Sequence, residues 1–123
     1  IQTNFKNMVR MSFANLFSEK SRELFKTEMQ LALQEAMQTP IQGYMACQEG
    51  MRIRSNRIAV LKNNDFKKLF IIGEKDPVLK SQELIEEAKT TNSESVVFEE
   101  GHMSHIENKT ALITALKEFL KRC

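Results

Sequence analysis

Two short apolar runs, each closed by a glycine, constrain this chain more than anything else in it: "KKLFIIG" at 67–73 and "SVVFEEG" at 95–101. Isoleucine, valine and phenylalanine in runs this short predict β-strands, and the glycines mark where they stop. Between them, "SQELIEEAKTT" sets Leu84, Ile85 and Ala88 on one face of a helix, with Ser81 as its cap. The stretch from 73 to 94 has room for a crossover, so the strands are expected to run parallel and to connect right-handedly. A last helix from about Asn108 to Arg122 buries Leu112, Ala115, Leu116, Phe119 and Leu120. The second half, 63–123, therefore reads β-α-β-α.

The first half is of another kind. Phe5, Met8, Val9, Phe13, Leu16 and Phe17 fall on one helical stripe, and Leu24, Phe25, Met29, Ala32, Leu33 and Ala36 on a second. Thr39–Pro40 supplies a cap and a proline at the first helical position, opening a third helix with Ile41, Tyr44, Met45 and Met51 inward. Ser55 caps a short fourth helix that ends near Lys62. Nothing in 1–62 alternates with a period of two, so this half is expected to be a helical subdomain.

Composition bounds the partners. The 123 residues, 41% hydrophobic and 28% charged, suit one modest soluble domain. A net charge of +2, spread along the chain, gives no basic stripe for nucleic acid and no anchor for an anionic membrane. Two cysteines, Cys47 and Cys123, do not make a disulfide framework, and free thiols fit a cytoplasmic setting. No apolar run approaches membrane-spanning length, and the N-terminus has neither an initiator methionine nor a signal pattern. The chain is expected to be a part of something longer.

The chemistry concentrates at the strand ends. Loops leaving parallel strands emerge at one edge of the sheet, where open α/β sheets bind their ligands. "GEKDPVLK" leaves the first strand carrying Asp76, and "GHMSHIE" leaves the second carrying His102. Neighbouring strands lie about 4.8 Å apart, which brings the carboxylate and the imidazole within hydrogen-bonding reach. Such a carboxylate accepts the Nδ1 proton, fixes the tautomer, and stabilises the imidazolium formed when Nε2 takes a proton from a nucleophile. Asp76 beside Pro77 also reads, by itself, as a turn former.

"KKLFIIGEKDPV" followed by "FEEGHMSHIENKTALITALKEFLKR" resembles the C-terminal part of the α/β-hydrolases. In that family an acid follows the seventh strand, the general-base histidine follows the eighth in a Gly-His pair, and a helix ends the fold. The resemblance implies a partial α/β-hydrolase fold: a helical cap in 1–62, with "QEGMRIRSNRIAVLKN" returning to the core, then the last two parallel strands and their helices. It gives Asp76 the acid's place and His102 the base's, and leaves His105 three residues too late. Lys109 and Lys80 stand where many relatives carry proline. The G-x-S-x-G nucleophile elbow and its oxyanion hole have no counterpart here, because the four glycines, at 43, 50, 73 and 101, never take that spacing. The implied activity is serine-esterase-like hydrolysis of small carboxylic esters or related acyl compounds, without cofactor or metal, by a longer protein. This chain alone is expected to be inert, and to self-associate or pair with the missing nucleophile-bearing half.

Other residues carry a plainer alternative. His102 and His105 at three-residue spacing lack a third neighbouring metal ligand, so His105 is expected to pack or to face substrate. Six methionines between Met8 and Met51 either line an adaptable apolar pocket or fill the core. Tyr44 is expected to pack, Arg52, Arg54 and Arg57 to form a solvated face, and Cys47 to be unreactive. The competing class of function is a non-enzymatic helical module that binds a protein through its Met- and Phe-rich faces.

Overall fold

The computed structural model describes residues 2–123. Its first half is helical: α1 (Gln2–Ala14), α2 (Glu19–Leu24), α3 (Lys26–Ala36), α4 (Ile41–Ile53) and α5 (Ile58–Lys62). The second half runs β1 (Leu69–Gly73), α6 (Ser81–Thr90), β2 (Glu94–Phe98), α7 (Ser104–Glu107) and α8 (Lys109–Lys121). The two strands pair in parallel, with Leu69 opposite Glu94 and Gly73 opposite Phe98. The chain is thus a mixed α/β structure, mostly helical, around a two-stranded parallel sheet. Among the described residues no helix is long and apolar enough to cross a membrane.

Local chemistry departs from expectation at the helix ends. The first stripe stops at Ala14, and Leu16 and Phe17 lie in the turn beyond it, where Phe17 is fully buried. The second stripe divides at Phe25, whose φ of −112° and ψ of 35° are not helical. Ser18, whose side chain accepts the Ser21 N–H, caps the start of the six-residue α2, while at Phe25, between α2 and α3, no side chain caps the following helix. Pro40 rather than Thr39 is the cap residue of α4, and no side chain bonds there. At α5, Asn56 accepts the Ile58 N–H, the role expected of Ser55. Ser81 is the first residue of α6 rather than its cap. That helix ends in a left-handed turn at Asn92, φ 51°, where Ser93 N–H reaches back to the Ala88 carbonyl at 2.9 Å.

The core is small. Val9, Phe17, Ile72, Ala88 and Phe98 are its buried apolar residues. Met45 and Met51, expected inward on α4, are 64% and 56% exposed, and Leu116 and Leu120 of α8 are 39% and 67% exposed. These stripes have the right period but are only partly covered, with Tyr44 on α4 and Leu112, Ala115 and Phe119 on α8 half-buried. Ile71 and Val97 are also exposed, and the register puts them on opposite faces of the sheet, so neither face is fully covered.

Candidate active site

The acid loop is built from β1 outward. Past Gly73, Glu74 N–H donates to the Phe98 carbonyl at 2.7 Å and Lys75 N–H to the Glu100 carbonyl at 3.2 Å, extending the pairing beyond the strands. Asp76 therefore arrives beside the loop that follows β2. Its two carboxylate oxygens divide the work. Oδ1 accepts the N–H groups of Val78 and Leu79 at 2.8 and 3.0 Å, a side-chain-closed turn across Pro77. Oδ2 lies 2.7 Å from His102 Nδ1. The turn-forming and the histidine-orienting roles are held by one residue together.

Electrostatics favour the ionised acid. The Asp76 side chain is 4% exposed, and burial pushes its carboxyl up. The hydrogen bond to His102, the Leu79 and Val78 N–H groups and the attraction of a charged imidazole outweigh this, and the net shift is below the ordinary carboxylate range. The His102 side chain is 36% exposed. Among the described residues its Nε2 has no hydrogen-bond partner, so that nitrogen faces outward from the pair.

The main chain under His102 rests on the helical half. His102 N–H donates to the Leu16 carbonyl at 2.9 Å. The buried Glu107 carboxylate accepts Met103 N–H at 2.9 Å through one oxygen and Ser18 N–H at 2.8 Å through the other. Gly101 leaves room for this crossing, since a Cβ there would meet Ser18 N at 2.6 Å and both Glu107 carboxylate oxygens at 3.0 Å. Gly73 is tighter still, with a Cβ meeting the Gly101 carbonyl oxygen at 2.2 Å. Neither glycine has a positive φ, so the requirement is space rather than a left-handed backbone.

A second buried acid stands next to this crossing. Glu100 accepts the Ser18 hydroxyl and pairs with Lys20 at 3.0 Å. The Ser18 hydrogen bond holds its carboxyl below the usual range, against the effect of burial, with Lys20 and Lys75 adding their charge. Glu100, Glu107, Ser18 and Ser21 were not singled out by sequence reasoning. The one available signal was "FSEKS", which reads as a capped helix start and marks Ser18 as a break in the stripe.

The remaining candidates lie apart from the pair. His105 is exposed on α7. Among the described residues no three His, Cys, Asp or Glu side chains are grouped to hold a metal ion. Arg52 is engaged by Glu49 through two nitrogens at 2.6 and 2.7 Å, and Arg54 and Arg57 are exposed. Cys47 and Cys123 are free and exposed. Tyr44 packs edge-on against Phe5, ring centroids 5.4 Å apart, and with Val9, Phe13, Leu16 and Ala36 it lines a cavity of about 260 Å³. Of the methionines, Met8 and Met11 are 43% and 71% exposed, whereas Met29 is half-buried beside Leu33 in a second cavity.

Chemically the arrangement can hold one imidazole in a fixed tautomer and accept a proton at its outward nitrogen. Compared with models of known protein families and with curated proteins, the chain matches none of either.

Proposed function

We propose that this chain is the acid-and-base portion of an α/β-hydrolase-type serine esterase, acting on small carboxylic esters. The observation that carries the reading is the 2.7 Å contact between Asp76 Oδ2 and His102 Nδ1, made by loops that leave the carboxyl ends of two adjacent parallel strands. His102 Nε2 takes the proton of a serine hydroxyl as that oxygen attacks the ester carbonyl. Asp76 keeps the imidazole proton on Nδ1 and stabilises the imidazolium. Nε2 then gives its proton to the departing alkoxide, and the sequence repeats with water to release the acid. The serine and the oxyanion donors come from a segment outside these residues. The open faces of the two-stranded sheet, exposing Ile71 and Val97, agree with further helices packing on them, and its edges with further strands pairing there. Helices α1–α5 serve as the cap, and the reaction needs no metal or cofactor. The setting proposed is cytoplasmic.

A panel of small acyl esters, assayed on the protein as encoded in full, tests this. Turnover that falls about 10³-fold or more in His102→Ala supports it. Turnover indifferent to His102 rejects it. A second reading, a helical protein-binding module without activity, is favoured by the exposure of Met11, Leu31, Met45, Met51 and Ile53 across the helical half. It predicts that no ester is turned over.

A further inference from the structure

Glu107 is a carboxylate 7% exposed, with no lysine or arginine bonded to it among the described residues. Burying an acid in this way is unfavourable unless its oxygens are occupied. Here they are occupied by two backbone N–H groups far apart in sequence, Met103 and Ser18. One belongs to the residue immediately after His102, and the other to the cap residue of α2 in the helical half. With His102 N–H held by the Leu16 carbonyl, the main chain on both sides of the histidine is fixed to residues 16–18. Gly101 has no side chain at the point where the two segments cross.

We propose that Glu107 is the positioning residue of the histidine loop: its carboxylate clamps the Met103 and Ser18 N–H groups together and thereby aims the His102 ring at Asp76. The inference rests on the hydrolase reading for its catalytic meaning, but the clamp itself is a statement about geometry. It also makes the turn at 15–18 part of the catalytic apparatus, because displacement of that turn pulls directly on the backbone at 101–103. Glu107 touches no reacting atom and acts only through His102.

Glu107→Gln is the direct test. The amide keeps one accepting oxygen and presents N–H to the other backbone donor, so only half of the clamp survives. Glu49→Gln is its control, the same carboxylate-to-amide change at an exposed residue of α4 whose side chain bonds Arg52 and has no part in the clamp. The readout is the far-downfield proton resonance of an imidazole Nδ1–H bonded to carboxylate, assigned by its loss in Asp76→Asn. The resonance is expected to be present in the unsubstituted protein and in Glu49→Gln, and lost or exchange-broadened in Glu107→Gln. In the active protein, Glu107→Gln should lower kcat about 10²-fold with little change in KM, the scale of a small misalignment at a catalytic group.

A resonance unaltered in Glu107→Gln overturns the clamp and leaves the catalytic pair standing. Its absence from the unsubstituted protein overturns the pair, and the clamp's function with it. If Glu107→Gln does not fold, hydrogen exchange of the unsubstituted protein decides: the Ser18, His102 and Met103 amides should exchange slowly and together, and fast exchange at Ser18 or Met103 overturns the proposal.

Discussion

His102 Nδ1 and Asp76 Oδ2 are 2.7 Å apart, although the two residues lie on different loops and the same carboxylate also closes a turn through its other oxygen. This division fixes what an amide would do. In Asp76→Asn, Oδ1 can continue to accept Val78 and Leu79 N–H, while Nδ2 donates to His102 Nδ1 and drives the imidazole proton to Nε2. The histidine then cannot act as a base. A loss of about 10⁴-fold in kcat is expected, the scale of the same change in other Ser-His-Asp sites. Stability should fall by only about 1 kcal/mol, because the turn bonds survive. Steady-state kinetics and a urea melt on the same sample check both halves.

The two glycines at the strand ends should tolerate no side chain. Gly73→Ala directs a Cβ at the Gly101 carbonyl oxygen, and Gly101→Ala directs one at Ser18 N. Both obstacles are backbone and neither can swing aside. Each variant should lose about 2–3 kcal/mol. Gly50→Ala is the matched control, having open space around the added carbon within α4, and should be neutral or stabilising by up to about 1 kcal/mol. Denaturant midpoints compare the three.

Acid should weaken the fold through Asp76 and Glu100. Both carboxyls are held below their ordinary range in the folded protein, so the unfolded chain binds more protons at mildly acid pH. Their contribution is complete above the ordinary carboxylate values, about 4, and is lost as pH falls through the lower folded values. Unfolding followed from pH 6 to pH 2 should show stability falling at the acid end. Asp76→Asn and Glu100→Gln should each flatten that slope.

The open sheet and the outer face of α8 lead to an expectation about association. Ile113, Leu116 and Leu120 are exposed together on α8, and both sheet faces carry exposed apolar residues. The 123-residue chain in isolation should self-associate at micromolar concentration. Sedimentation velocity across a dilution series checks this, and a strict monomer throughout would count against it.

How far the sequence revealed the site follows from the range of each interaction. The βαβ unit was legible because Ile71–Ile72 and Val96–Val97 give strand signals, and parallel pairing follows from the crossover. That placement brought Asp76 and His102 to one edge without any knowledge of side-chain geometry. The break at Phe25 was hidden because Leu24, Phe25 and Met29 keep a helical period through it. Glu100 and Glu107 were invisible for a different reason. A glutamate beside a strand end or in a polar loop normally faces water, and what holds these two inside is Ser18, 82 residues from Glu100 and 89 from Glu107. The exposed methionines of α4 show the converse, an amphipathic stripe that names no partner.

The central claim, that His102 oriented by Asp76 activates a serine, is tested most directly by fluorophosphonate labelling of the protein as encoded in full, followed by mass spectrometry. The account predicts one labelled serine per chain, outside residues 1–123, with labelling slowed at least about 10³-fold in His102→Ala. No labelled serine, or labelling at an unchanged rate in His102→Ala, would contradict it.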